Sequence, residues 1–335
     1  MTERTRTAAR GSEPLPLDEV ARLGQDVLAE VGTVIVGMRP ALRTALAAVL
    51  AGGHVLFEDL PGLGKTLAAR SLATALGLDF RRLQCTPDLL PSDITGSYVF
   101  DPVTAAFVFR PGPVFTGLFL ADEINRTAPR TQSALLEAMA ERQVTVEGTT
   151  HVLEPPFHVV ATSNPVEYEG TYPLPEAQLD RFMVRLAVGH PDRDAEIDVL
   201  ERRLARRAEE ASVRAVVDAQ TLLGMQAGVE TVEVDPDVLG YCVDLSDATR
   251  RHEQVEVGVS TRGTQTLVLV ARAAAVLAGR GFVTPEDVKD VAIDVLSHRL
   301  SLTPQAWAEG VRETSVIESL LDDVATPPTA SLVSR

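Results

Sequence analysis

Apolar residues follow two different periods along this chain, and where each period holds sets out the elements. Short unbroken apolar runs, "HVLFE" at 54–58, "GLFLAD" at 117–122 and "FHVVATS" at 157–163, read as buried strands. "TLAARSLATALG" at 66–77 instead places Leu67, Leu72, Ala73 and Leu76 at helical spacing and stops on a glycine. This mixture predicts a three-layer α/β domain over 19–190. From 191 to 335 the pattern reads as helical, with a boundary near "GHPDRD" at 189–194. "DRDAEIDVLERRLARRAEE" at 192–210 is a charged amphipathic helix whose polar face covers Ile197, Leu200 and Leu204. "TPEDVKDVAIDVLSHRL" opens on a capping box, Thr284 to Asp287, with Pro285 in the first helical position. Two alternating stretches interrupt the α/β rhythm and predict β-hairpins. One, "SYVFDPVTAAFVFRPG", carries Tyr98, Phe100, Phe107 and Phe109 about an Asp101–Pro102 turn; the other, "QVTVEGTTHVL", turns at Glu147–Gly148. The first 18 residues lack an apolar core and read as a disordered tail.

The loop between the first strand and its helix carries the chemistry. Pro61, Gly62, Leu63, Gly64, Lys65 and Thr66 follow a buried strand and open a helix, which is the setting a phosphate loop requires. Glycines let backbone N–H groups approach phosphate oxygens, and the helix start adds partial positive charge. Lys65 can reach the outer phosphates of a nucleotide, and the Thr66 hydroxyl can ligate Mg²⁺. The strict pattern has glycine at position 59, where this chain has Asp59. About sixty residues later a second apolar strand ends in Asp122 and Glu123. Strand alternation separates the two carboxylates, so Asp122 can hold Mg²⁺ through water, beside Thr66, while Glu123 polarises the attacking water. A third strand ends in Ser163–Asn164, whose amide can orient that water. Arg181 precedes another apolar stretch, and Arg262 lies in the first turn of a helix capped by Ser260 or Thr261. An arginine there faces the positive end of the helix dipole, which an anion would offset.

Composition narrows the partner. The chain has 335 residues, 45% of them apolar, with a net charge of −16 and only 4% aromatics. Such an acidic chain is a poor match for broad binding to nucleic acid or an anionic membrane. No apolar run reaches membrane-spanning length, and two distant cysteines fit a reducing cytosol. Cytoplasmic location without membrane insertion is the expectation.

With "VGMRPAL", "TPDLLPSDITGSYVFDP", "FRPGPVF", "LADEINRTAPRTQSALLEAMAERQVTV", "ATSNP", "LPEAQLDRF", "GVSTRG" and "FVTPEDVKDVA" in place, the chain resembles the MoxR family of AAA+ ATPases over roughly residues 20–325. The resemblance implies an ATP-binding α/β domain with a small helical lid. It implies that Lys65 and Thr66 belong to Walker A, Asp122 and Glu123 to Walker B, and Asn164 to sensor 1. Arg181 resembles the arginine finger and Arg262 sensor 2. Val36, Gly37, Pro61 to Thr66, Leu67 and Arg262 are then the nucleotide-binding set, with Met38 standing where glutamine is more usual. Glu123, Asn164 and Arg181 are the catalytic set, and Thr66 and Asp122 hold Mg²⁺. The family implies a ring, commonly a hexamer, whose hairpins face the pore. The ring remodels or activates partner proteins, often ones with a von Willebrand factor A domain. A chelatase-type motor subunit for metal insertion and a nucleotide-dependent scaffold with little turnover are the competing readings.

Overall fold

A computed structural model describes residues 12–60, 62–165, 170–206 and 212–328. The chain enters through two helices, α1 (Leu17–Gly32) and α2 (Arg39–Leu50), the second with proline in its first turn. The sheet begins with β1 (Val55–Glu58), followed by α3 (Lys65–Ala75) and β2 (Phe80–Gln84). A short α4 (Pro91–Thr95) leads into a hairpin of β3 (Gly96–Asp101) and β4 (Ala106–Pro111). Next come β5 (Leu118–Asp122), α5 (Pro129–Glu141) and a second hairpin, β6 (Gln143–Val146) with β7 (Thr149–Val152). The domain closes with β8 (His158–Ser163), α6 (Glu176–Leu179) and β9 (Val184–Leu186).

Five strands form one parallel sheet in the order β2-β5-β8-β1-β9. Every residue of β5 and β8 is buried, as a sheet with helices on both faces requires. The two-residue period divides the strands between two cores. Val55, Phe57, Leu118, Leu120 and Val160 pack toward α1, α2 and α3, while Leu56, Phe119, Ala121, Val159 and Ala161 pack toward α5.

The remainder comprises α7 (Arg193–Arg206), α8 (Ala219–Val229), α9 (Pro236–Arg251), β10 (Val255–Val257), α10 (Thr261–Leu277), α11 (Pro285–Leu296), β11 (Ser301–Leu302), α12 (Pro304–Ala308) and α13 (Glu313–Asp323). Among the described residues the lid is therefore helical apart from one small antiparallel ladder, β10 with β11, and a single parallel bridge between Glu233 and Phe282. α10 packs on α1 and α2, so its core is continuous with that of the α/β domain. The Thr284–Asp287 capping box forms as expected, and Ser260, not Thr261, caps α10.

Two expectations change. The tail expected over 1–18 ends earlier, because α1 starts at Leu17 and Leu15 packs on the core, its N–H donating to the Gly224 carbonyl at 3.1 Å. Residues 1–11 lie outside the described residues. On α7, Ile197, Leu200 and Leu204 face outward instead of covering core, with Leu204 74% exposed. A polar contact holds that helix: Arg202 donates to the carbonyls of Gly32 and Thr33 at 2.9 and 3.0 Å, behind α1. The four hairpin aromatics are not split between the two faces of their hairpin. Tyr98 pairs with Phe109 and Phe100 with Phe107, so all four share one face of β3–β4. They divide along its length instead. Tyr98 and Phe109 sit against His151 and Phe115, with Phe109 and His151 stacked at 3.8 Å, whereas Phe107 is 69% exposed nearer the tip.

Buried histidines make the fold acid-sensitive. His54 accepts the Val159 N–H at 2.9 Å, and His158 bonds the Gly53 carbonyl at 2.8 Å. Burial holds His54 down to about 3, His158 to about 4, and His298 well below its ordinary value. Between pH 6.5 and 5 the unfolded chain binds protons that these folded imidazoles refuse, so stability falls as pH falls. Asp294, pushed up to about 6 by burial, acts in the opposite sense over the same range and offsets one histidine. The expected net loss is about 3 kcal/mol from pH 6.5 to 5. Thermal melts across that range should show a falling midpoint; a flat or rising one would contradict the neutral, buried state of the three rings.

Candidate active site

The C-terminal ends of β1, β5 and β8 lie side by side in the sheet, which is where open parallel sheets place their ligands. β1 runs into the glycine loop. Gly62 and Gly64 have φ of +84° and +80°, and an added Cβ would meet nothing within 4 Å at either. Left-handed backbone, not lack of room, therefore calls for glycine here. Pro61 lies outside the described residues. α3 begins at Lys65, so its first N–H groups, which have no helical partners, open onto the loop. Burial lowers the Lys65 pKa, while the Asp59 and Asp122 carboxylates act to raise it. Its ammonium donates to the Asp59 carbonyl at 2.5 Å.

Asp59 itself has a structural use. Its carboxylate accepts from the backbone N–H of Leu60 at 2.8 Å, Val188 at 2.7 Å and Gly189 at 2.6 Å. The departure from the strict glycine pattern thus clips the loop to the segment that leads out to the lid.

At the end of β5, Asp122 is buried and accepts the Thr66 hydroxyl on one oxygen at 3.0 Å and the Thr162 hydroxyl on the other at 2.6 Å. Glu123 is separated from it by a turn instead of by strand alternation: its φ and ψ are 60° and 52°, left-handed values uncommon for a residue with a side chain. The Glu123 N–H donates to Thr162 Oγ1 at 2.8 Å, which fixes that turn. The Glu123 carboxylate accepts from Gln84 Nε2 at 2.7 Å and faces Arg126 at 3.3 Å. At the end of β8, Asn164 is buried and its carbonyl accepts from Asn125 Nδ2 at 3.0 Å. The structure therefore brings Lys65, Thr66, Asp122, Glu123 and Asn164 to one edge of the sheet.

Arg181 and Arg262 bond elsewhere. Arg181 donates to the Leu136 carbonyl on α5 at 2.8 Å. Arg262 stands 4.0 Å from Asp180, whose other oxygen takes the buried Arg299 at 2.7 Å. Asp180 thus joins the segment before β9 to two lid arginines. Gly263 makes room for this, since a Cβ there would lie 2.8 Å from Arg299 Cδ.

Beside the glycine loop lies a cavity of about 370 Å³. Val36, Gly37 and Met38 form one wall and Gly62, Leu63, Gly64 and Leu67 another, with His190 and Pro191 closing it. The donors suit a nucleotide and Mg²⁺. Hydroxyl and carboxylate oxygens are the hard ligands that Mg²⁺ prefers, supplied by few protein groups with phosphates and water completing the shell. Among the described residues no cluster of three His, Cys, Asp or Glu side chains could hold a metal alone.

Arg82, Gln84 and Thr162 join the site without having been expected, and Asp180 is an unexpected anchor for the lid arginines. Only the strand order, which sets β2 beside β5, brings Arg82 and Gln84 to the acids.

Comparison with known proteins gives the same picture. The ATPase family associated with various cellular activities (AAA) matches residues 54–184, and the AAA lid domain matches 247–320. Chaperone MoxR1 of Mycobacterium tuberculosis is 39% identical, covering 89% of this chain and 81% of its own. Protein MoxR of Paracoccus denitrificans is 32% identical, covering 89% and 93%. The uncharacterised Bacillus subtilis protein YeaC is 46% identical, covering 90% and 94%. A crystal structure from Cytophaga hutchinsonii, 40% identical, superposes with a TM-score of 0.86 over 93% of this chain and 97% of that one. With a glycine loop, a strand-end acid pair and an AAA lid on one chain, this protein belongs to the MoxR family of AAA+ ATPases.

Proposed function

We propose that this ATPase hydrolyses ATP with Mg²⁺ as a ring of identical subunits, a hexamer by resemblance, and uses the energy to remodel partner proteins. The observation that carries the hydrolytic part is the meeting of Thr66, Asp122 and Glu123 beside the glycine loop. The body over 19–190 binds the nucleotide, and the lid from 191 onward closes on it. Gly62, Gly64 and the start of α3 receive the phosphates, and Lys65 answers their charge. The cavity walls at Val36, Gly37, Leu63 and Leu67 take the base and sugar. Thr66 and Asp122 hold Mg²⁺, which supplies charge neutralisation on the phosphates. Glu123 takes the proton of the attacking water, and the Asn164 amide orients that water. Arg262 approaches the phosphates from the lid, and Arg181 acts on the nucleotide of a neighbouring subunit. A complete acid pair favours turnover over a scaffold role.

The partner is a protein, by resemblance one with a von Willebrand factor A domain, met by the exposed tip of β3–β4 where Phe100 and Phe107 stand 52% and 69% exposed. The two cysteines are buried and unpaired, in keeping with a cytoplasmic protein, and no helix among the described residues is long and apolar enough to cross a membrane. The test is the ATPase rate and binding with duplex and single-stranded DNA at low and moderate salt. Neither should move the rate beyond about twofold, since a chain of net charge −16 offers little to a polyanion. Tight, salt-sensitive DNA binding with several-fold stimulation would replace protein remodelling with a helicase-like function.

A further inference from the structure

The carboxylate assigned to the metal already carries a cation. Arg82, on the neighbouring strand β2, sets Nε 2.9 Å and Nη2 2.8 Å from Asp122 Oδ2. That is the same oxygen that accepts the Thr66 hydroxyl at 3.0 Å, while Oδ1 takes Thr162 at 2.6 Å. Oδ2 thus takes three contacts, two of them from Arg82, while Oδ1 takes one. Mg²⁺ keeps a near-octahedral shell with several waters, so whether the ion met Asp122 directly or through one of those waters, the two-pronged guanidinium would compete with it for Oδ2. Two cations on one carboxylate also repel at a partly buried site, where water screens poorly. Arg82 has somewhere to go. Its side chain is 44% exposed, and Nη2 also reaches Gln84 Oε1 at 2.8 Å.

We propose that Arg82 competes with Mg²⁺ for Asp122, so that an arginine of this chain sets how much metal its nucleotide site demands. The inference rests on the metal role proposed above for Thr66 and Asp122. Arg82 is a positioning residue in this scheme. It holds Asp122 against Thr66 until the metal displaces its guanidinium toward Gln84 and solvent.

The test uses the full chain carrying Glu123→Gln to suppress turnover. A fluorescent ADP analogue is titrated in EDTA and in saturating Mg²⁺, and the ratio of the two dissociation constants measures the coupling of metal to nucleotide. Arg82→Gln removes the competing charge and should raise that ratio by about three- to ten-fold over the parent, the range of a modest ion pair. Mn²⁺ titrated with ADP present and followed by electron paramagnetic resonance should bind more tightly by a similar factor. Arg82→Lys keeps the charge but loses the fork, and should fall between; it carries the same test if the neutral variant does not fold. An Arg82→Gln ratio equal to or below the parent's, with Mn²⁺ still bound by both, overturns the competition alone. No metal dependence and no bound Mn²⁺ in the parent overturns the assignment of Thr66 and Asp122, and the competition falls with it.

Discussion

Glu123→Gln lowers ATP hydrolysis by about two to four orders of magnitude, the usual contribution of a positioned general base, and leaves ATP affinity within a few-fold. The separation of effects follows from the geometry. Glu123 sits on its own left-handed turn, anchored by its N–H to Thr162, while the phosphate loop and α3 are built from other residues. Glutamine keeps an oxygen to accept the Gln84 amide, which Glu123 accepts at 2.7 Å, so the local bonding survives while the basic charge is lost. Steady-state phosphate release and equilibrium binding of a fluorescent ATP analogue read the two quantities apart. Lys65→Ala should show the reverse emphasis, with binding itself weakened. Turnover at the normal rate in Glu123→Gln would assign water activation to another group.

Arg181→Ala is expected to cost about three to five orders of magnitude in turnover, with nucleotide affinity near normal, because a finger arginine stabilises charge that develops only in the transition state. The guanidinium has a second bond to consider, to the Leu136 carbonyl at 2.8 Å. Arg181→Lys therefore belongs beside it: it retains a cation and a donor yet loses the planar fork. Mixing Arg181→Ala with Glu123→Gln subunits should restore part of the activity. Some interfaces then pair an intact arginine with an intact Glu123. An inactive mixture, with exchange of subunits demonstrated, would place the action of Arg181 within its own chain.

The strand runs and the glycine loop were legible because each is local: a buried parallel strand needs continuous apolar residues, and a left-handed loop needs glycine. Asp122 and Glu123 could be read from their place at a strand end. Why they diverge could not be read, since a left-handed glutamate has no sequence signature. Arg82 and Gln84 were illegible for a different reason. "FRRLQ" reads as an ordinary polar edge strand, and its meaning appears only once β2 lies beside β5, with Gln84 opposite Asp122. The two hairpins were visible as alternation, and the Glu147–Gly148 turn takes positive φ at both residues, as a tight two-residue turn requires. How the hairpin aromatics divide was not visible, because alternation counts positions along a strand and does not say which end of the hairpin packs on the body. The outward face of α7 was misread because an amphipathic period shows that a helix has an apolar stripe, not that anything covers it.

Asp59 has a thermodynamic consequence. One carboxylate grips Leu60 on the loop side and Val188 and Gly189 on the lid side. Free energy exchanged through such a shared anchor is reciprocal. If a bound nucleotide steadies the loop and thereby biases the lid's angle by some factor, then holding the lid at that angle tightens the nucleotide by the same factor. A partner that pulls on the lid therefore acts on affinity without touching the site, and the exchange needs no contact beyond three backbone amides.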